Sequence, residues 1–123
     1  MNVRETFFAV DVVDMERATA FYVASLGARV TFASAGWTSL EIAGVRVALA
    51  LAPAGGSGRG PRRTGLHFAV GDLEAVRAGV VRAGGAAAGE PVEVAPGVLV
   101  AEVVDTEGNA LTLTCAAAPQ GSA

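Results

Sequence analysis

Cysteine, histidine and tryptophan each occur once in these 123 residues, and only 17% of the residues carry charge. The single cysteine, Cys115, has no partner for an internal disulfide, so a reducing compartment is expected. No uncharged apolar stretch reaches the roughly 18 residues that a membrane span needs. The opening Met1-Asn2-Val3-Arg4-Glu5 does not begin the apolar run of a signal peptide. These absences predict a cytoplasmic protein without a membrane partner. The net charge of -3 and a pI near 5.0, with no basic helix and no basic strip rich in aromatics, argue against nucleic acid. So sparse a charge is low for the surface of a monomer and predicts a homodimer face.

What the chain does have is duplication. Phe7-Phe8-Ala9-Val10-Asp11-Val12-Val13-Asp14-Met15-Glu16 returns 58 residues later as Gly65-Leu66-His67-Phe68-Ala69-Val70-Gly71-Asp72-Leu73-Glu74. Each copy opens an alanine-rich amphipathic run, the first ending at Leu26-Gly27-Ala28 and the second at Gly84-Gly85-Ala86. Repetition of one supersecondary unit predicts that any pocket lies between the copies. Thr6 to Val12 reads as a strand, Asp14 as the cap of a helix whose apolar face holds Ala18, Phe21, Tyr22 and Leu26, and Gly27 as its stop. Arg29 to Phe32, Trp37 to Ile42 and Val45 to Ala50 are the next strands. The second copy repeats the order. Leu66 to Val70 is followed by a helix through Val76, Val80 and Val81, then by strands near Val92 to Val94, from Val98 to Val104 and from Ala110 to Cys115.

The expected organisation is one α+β domain over residues 1–123, with modules 5–52 and 64–115 and a Gly/Arg/Pro-rich connector 53–63. The connector holds three of the nine basic residues, so it reads either as solvated linker or as a flap carrying positive charge to a ligand. Ala116 to Ala123 reads as a frayed tail.

Several segments together resemble the vicinal oxygen chelate superfamily, which includes glyoxalase I, extradiol dioxygenases and the fosfomycin and bleomycin resistance proteins. They are Val12 to Ala18 with Phe21-Tyr22 and Leu26-Gly27, then Phe68 to Glu74, Ala83-Gly84-Gly85 and the Asp105-Thr106-Glu107-Gly108-Asn109 turn. The resemblance covers residues 5–115 and is nearest in character to the metal-free, bleomycin-resistance-like binding proteins. It implies tandem βαβββ modules forming a concave mixed sheet around a cavity, in a homodimer. In members similar to glyoxalase I, histidine and glutamate side chains from four strands hold a divalent metal. The resemblance places those ligands at Phe7, Gly65, Thr112 and within Ala48 to Ala50. Phenylalanine, glycine and alanine offer no donor atom, whereas a first-row metal needs several nitrogen, sulfur or oxygen ligands. The expected cofactor is therefore none, and the metal mechanism is not carried over.

The remaining polar and aromatic candidates point to a small organic ligand. His67, alone in an apolar strand, reads either as a hydrogen-bonded interior imidazole or as a ligand contact. By period two it shares the strand face of Gly65, and Asp11 shares that of Phe7 and Ala9. Asp11, if buried, needs a donor, a cation or water, and a pair with His67 would satisfy both and open acid/base chemistry. Trp37 after a flexible Ala33-Ser34-Ala35-Gly36 reads as a stacking wall or as packing, Phe7 as a cavity floor, and Phe32 with Val30 as core. Glu41, Glu102 and Thr112 lie on strands expected to line the cavity. The expected function is metal-independent binding or sequestration of a small hydrophobic or aromatic molecule, such as an antibiotic or natural product, at Phe7, Asp11, Trp37, Glu41, His67, Glu102 and Thr112. The alternative is a metal-independent isomerase, cyclase or hydrolase using His67 and Asp11 as acid and base.

Overall fold

The computed structural model describes residues 2–52 and 62–116. The chain runs β1 (Phe8–Val12), α1 (Met15–Leu26), β2 (Arg29–Ala33), β3 (Trp37–Ile42) and β4 (Val45–Leu51). It then repeats the order as β5 (Arg62–Ala69), α2 (Leu73–Arg82), β6 (Ala86–Ala95), β7 (Val98–Val104) and β8 (Asn109–Ala116). Each repeat is a four-stranded mixed sheet, ordered β1-β4-β3-β2 and β5-β8-β7-β6. The first strand of each module pairs in parallel with the last, which the intervening helix makes possible.

Local chemistry starts and stops the helices. The Asp14 carboxylate accepts from the Arg17 N–H at 3.0 Å, and Asp72 does the same for Ala75 at 3.0 Å, so each satisfies a freed donor of the first turn. Gly27 ends α1 at φ 66°, in the left-handed region where a Cβ is penalised. α1 buries Ala18, Phe21 and Tyr22, and α2 buries Leu73 and Val80. Both helices contribute to one apolar cluster with Val12, Leu40, Leu49, Leu66, Leu111 and Leu113.

The sheets alternate strictly enough to separate two faces. In the first, Val10, Val12, Leu40, Val47 and Leu49 face α1 and are buried. The register then places Ala9, Asp11, Glu41, Arg46, Ser39, Ala48, Trp37 and Ala50 together on the opposite, open face.

The structure departs from the sequence expectations in four places. Val30 and Phe32 are not core. They are 39% and 56% exposed, because β2 is an edge strand, and a bulge between them sets Phe32 opposite Ser39 on the open face. Val81 is 53% exposed, so α2 turns Leu73, Val80 and the partly buried Val76 inward but not Val81. β6 is ten residues long, where only Val92 to Val94 read as strand. β5 begins at Arg62, so Arg62 and Arg63 belong to a strand; the flap reading of the rest of the connector, and the tail past residue 116, lie outside the described residues.

A polar junction ties the modules together. The Asp11 carbonyl accepts from Asn109 Nδ2 at 2.9 Å and from Arg62 Nη2 at 3.2 Å. Tyr22 donates its hydroxyl to Asp105 Oδ2 at 2.5 Å, joining α1 to the turn between β7 and β8.

Candidate functional site

Alternation in β3 and β4 assembles a cluster on the open face of the first sheet. The Phe7 and Trp37 rings meet edge to face, with centroids 6.0 Å apart and planes at 85°. Arg46 alternates with Val45 and Val47, so its guanidinium rises from the same face, 4.8 Å above the Phe7 ring centroid. The Ser39 hydroxyl, buried to 1% exposure, accepts from Trp37 Nε1 at 3.1 Å and from Arg46 Nη2 at 3.2 Å. One small hydroxyl thus orients both an indole and a cation. Arg46 Nη1 donates to the two oxygens of Glu5 at 2.8 and 3.0 Å. Glu41, also on this face, is held in an ion pair with Arg29. Asp11 belongs to the same face but is exposed, so it does not need the donor partner that a buried carboxylate would.

The second sheet collects the other candidates. His67 is opposite Thr112, Thr112 is opposite Glu102, and Glu102 is opposite Ala88, which makes one row across the sheet. His67 and Glu102 are exposed and Thr112 is half-buried. Among the described residues no hydrogen bond or ion pair joins His67 to Asp11, Glu102 or any other carboxylate.

A cleft of about 530 Å³ lies between the modules. Phe8, Val45, Val47 and Leu26 wall one side and Leu66, Phe68 and Val76 the other, with His67 the ionisable group on its lining. Phe8, Val45 and Val47 alternate with Phe7 and Arg46 along their strands. The cleft and the aromatic cluster therefore occupy opposite sides of the first sheet. Within one chain the fold brings Phe7, Asp11, Trp37 and Glu41 onto one face and His67, Glu102 and Thr112 onto another.

The positions expected to ligate metal do not suit one. Phe7 carries the Arg46 guanidinium over its ring, and a second cation beside it would be repelled. Ala48 is buried between Ala9 and Ser39 in the sheet, and Gly65 has no side chain. The Thr112 hydroxyl stands without a second donor from that set. No group of three or more His, Cys, Asp or Glu side chains among the described residues is placed to hold an ion.

Sequence reasoning missed Arg46, Ser39 and Glu5. One signal was available for Arg46: a lone charge in the apolar run Val45 to Leu51 must leave the core side, and period two puts it beside Glu41. It also missed the junction formed by Arg17, Glu107 and Asn109, because the bonded partners lie ninety or more residues apart in sequence. Arg17 Nε donates to Glu107 Oε2 at 2.8 Å.

Among the described residues no helix is long and apolar enough to cross a membrane. Known proteins place the chain more closely. A hypothetical protein from S. aureus superposes with a TM-score of 0.73 at 21% identity, over 92% of this chain and 94% of that one. A glyoxalase/bleomycin resistance protein/dioxygenase family enzyme from Burkholderia phytofirmans gives 0.74 at 17% identity, over 89% and 96%. The fosfomycin resistance protein FosX from Listeria monocytogenes gives 0.75 at 15% identity, over 94% of both chains. No curated protein matches the chain in sequence. The family model described as a glyoxalase-like domain matches residues 7–114. With its paired βαβββ modules, the chain belongs to the glyoxalase-like domain family, within the vicinal oxygen chelate superfamily.

Proposed function

We propose that this protein binds a small aromatic or apolar molecule on the open face of its first sheet, without a metal ion, and so sequesters it. The observation that carries this reading is the Phe7–Trp37 pair. Two partly exposed rings are held edge to face where the resemblance puts a metal ligand. Rings fixed in this way offer contact area to a planar ligand at little entropic cost, since Ser39 already orients the indole. Structural neighbours that include fosfomycin resistance proteins and a glyoxalase/bleomycin resistance family member support an antibiotic or another natural product as the ligand class.

The enzymatic alternative draws less support. General acid/base work needs a positioned partner, and His67 has no carboxylate within hydrogen-bonding reach among the described residues. A homodimer is part of the proposal. Phe32, Val92, Val94 and Leu99 are 38–61% exposed on strands of the two sheets, which is apolar surface for a second copy to cover.

Titration of a panel of planar aromatic compounds, with bleomycin and fosfomycin included, tests the reading through fluorescence of the sole tryptophan, Trp37. Saturable quenching by at least one compound, unaffected by a chelator, with a heat of binding that Trp37→Leu abolishes in calorimetry, is the expected result. A flat response across the whole panel contradicts it.

A further inference from the structure

We propose that Arg46 is an anion-binding residue on this face, that Glu5 is its built-in occupant, and that the ligand is an aromatic carboxylate which displaces Glu5. This rests on the proposed binding at Phe7 and Trp37 and names the class of molecule bound there.

The Arg46 guanidinium is fixed from two sides before any ligand arrives, by the Ser39 hydroxyl and by the Phe7 ring. Its Nη1 corner is given to a carboxylate, with both Glu5 oxygens within 3.0 Å. With Nη2 held by Ser39, Nη1 is the corner that a ligand's carboxylate would take over from Glu5 through charge-assisted hydrogen bonds. Glu5, however, lies in residues 2–7, which are outside any helix or strand, and its side chain is 52% exposed. An ion pair so exposed contributes little to stability, so displacing Glu5 costs an incoming ligand little. The ligand gains what Glu5 lacks, an aromatic plane to set against Trp37 and Phe7 beside the charge. Arg29 already engages Glu41, so moving Glu5 aside leaves the Arg46 guanidinium without an ion-pair partner, a place the ligand's carboxylate takes.

Calorimetric titration of the full chain with 1-naphthoate and with its neutral counterpart 1-naphthamide tests this. The acid is expected to bind roughly tenfold more tightly than the amide, as a charge-assisted bond to arginine implies. Glu5→Gln removes the competitor at an exposed position and is expected to widen that preference several-fold, and Arg46→Gln to abolish it. Equal affinity for acid and amide, or a preference that Glu5→Gln leaves unchanged, overturns the carboxylate assignment while leaving aromatic binding intact. Absence of binding with both compounds overturns the assignment, and a flat response across the aromatic panel as well overturns the proposed function with it.

Discussion

Glu107 and Arg17, ninety residues apart in sequence, are joined by a 2.8 Å bond from Nε to Oε2 at the junction of the two modules. The other carboxylate oxygen, Oε1, accepts from the backbone N–H groups of Val13 and Asp14 at 2.9 and 3.0 Å, and the Thr106 hydroxyl donates to Oε2 at 2.8 Å. A turn residue of the second repeat thus satisfies backbone donors at the start of the first repeat's helix. Its side chain is fully buried, while that of Arg17 remains 54% exposed. Burial alone would push the carboxyl upward, but Arg17, the two N–H groups and Thr106 outweigh it and hold it at about 2, against an ordinary 4.5.

Because the folded value is depressed, this stabilisation is complete above pH 4.5 and is lost as pH falls toward about 2. Urea unfolding at a series of pH values is expected to show a loss of about 2–3 kcal/mol across that window. Glu107→Gln should be less stable than the parent at pH 7 and should flatten the acid limb. An unchanged acid limb in the variant would show that Glu107 does not link the modules.

Tyr22 is the complementary test at alkaline pH. Burial first, and then the negative Asp105 it donates to, push its hydroxyl far above the usual tyrosine range. With the folded value raised, the neutral phenol stabilises the fold fully below pH of about 10, and this contribution is lost as pH rises beyond it. The sole tyrosine of the chain should therefore ionise only together with unfolding, seen as coincident ultraviolet absorbance and circular dichroism transitions. Tyr22→Phe, which strips Asp105 of a buried donor, should cost about 1–3 kcal/mol.

Two glycines separate packing from chain flexibility. A Cβ on Gly85 would fall 2.4 Å from the Val104 carbonyl oxygen and 2.8 Å from Phe21 Cε1, whereas one on Gly36 would meet nothing within 4 Å. Gly85→Ala is expected to lower stability by about 1–3 kcal/mol through overpacking where α2 docks on the first module's helix. Gly36→Ala should be neutral or slightly stabilising. Equal effects at the two sites would contradict the close approach at Gly85.

The proposed dimer predicts twice the 12.3 kDa chain mass by light scattering at micromolar concentration. Phe32→Glu, at an exposed apolar position of the edge strand β2, should shift the protein toward monomer without unfolding it. A monomer at all concentrations would remove that part of the proposal.

The fold was largely legible because the repeat supplied its own check. Asp14 and Asp72, Gly27 and the paired apolar strands recur at matching positions, and helix caps and strand periods are local signals. What failed to show was anything set by edges and junctions. Phe32 looks like core until a bulge turns it outward, and Arg62 looks like linker because its neighbours are glycine, proline and arginine. The candidate site was half legible. Phe7 and Trp37 do meet, and Glu41 and Asp11 share their face, but strand alternation alone does not reveal that His67, Thr112 and Glu102 form a separate row. Ser39 escaped because its role comes from cross-strand neighbours on β3 and β4, and Arg46 because a lone charge in an apolar strand signals a face without naming the partners on it.

Phe7, which the resemblance puts at a metal-ligand position, instead packs against Trp37 and under the Arg46 guanidinium, so no metal is expected to be held there. Equilibrium dialysis of the purified chain against Mn(II) and Zn(II), followed by elemental analysis, tests it most directly. Substoichiometric, non-saturable metal at every concentration is the expected result; one tightly held ion per chain would contradict it.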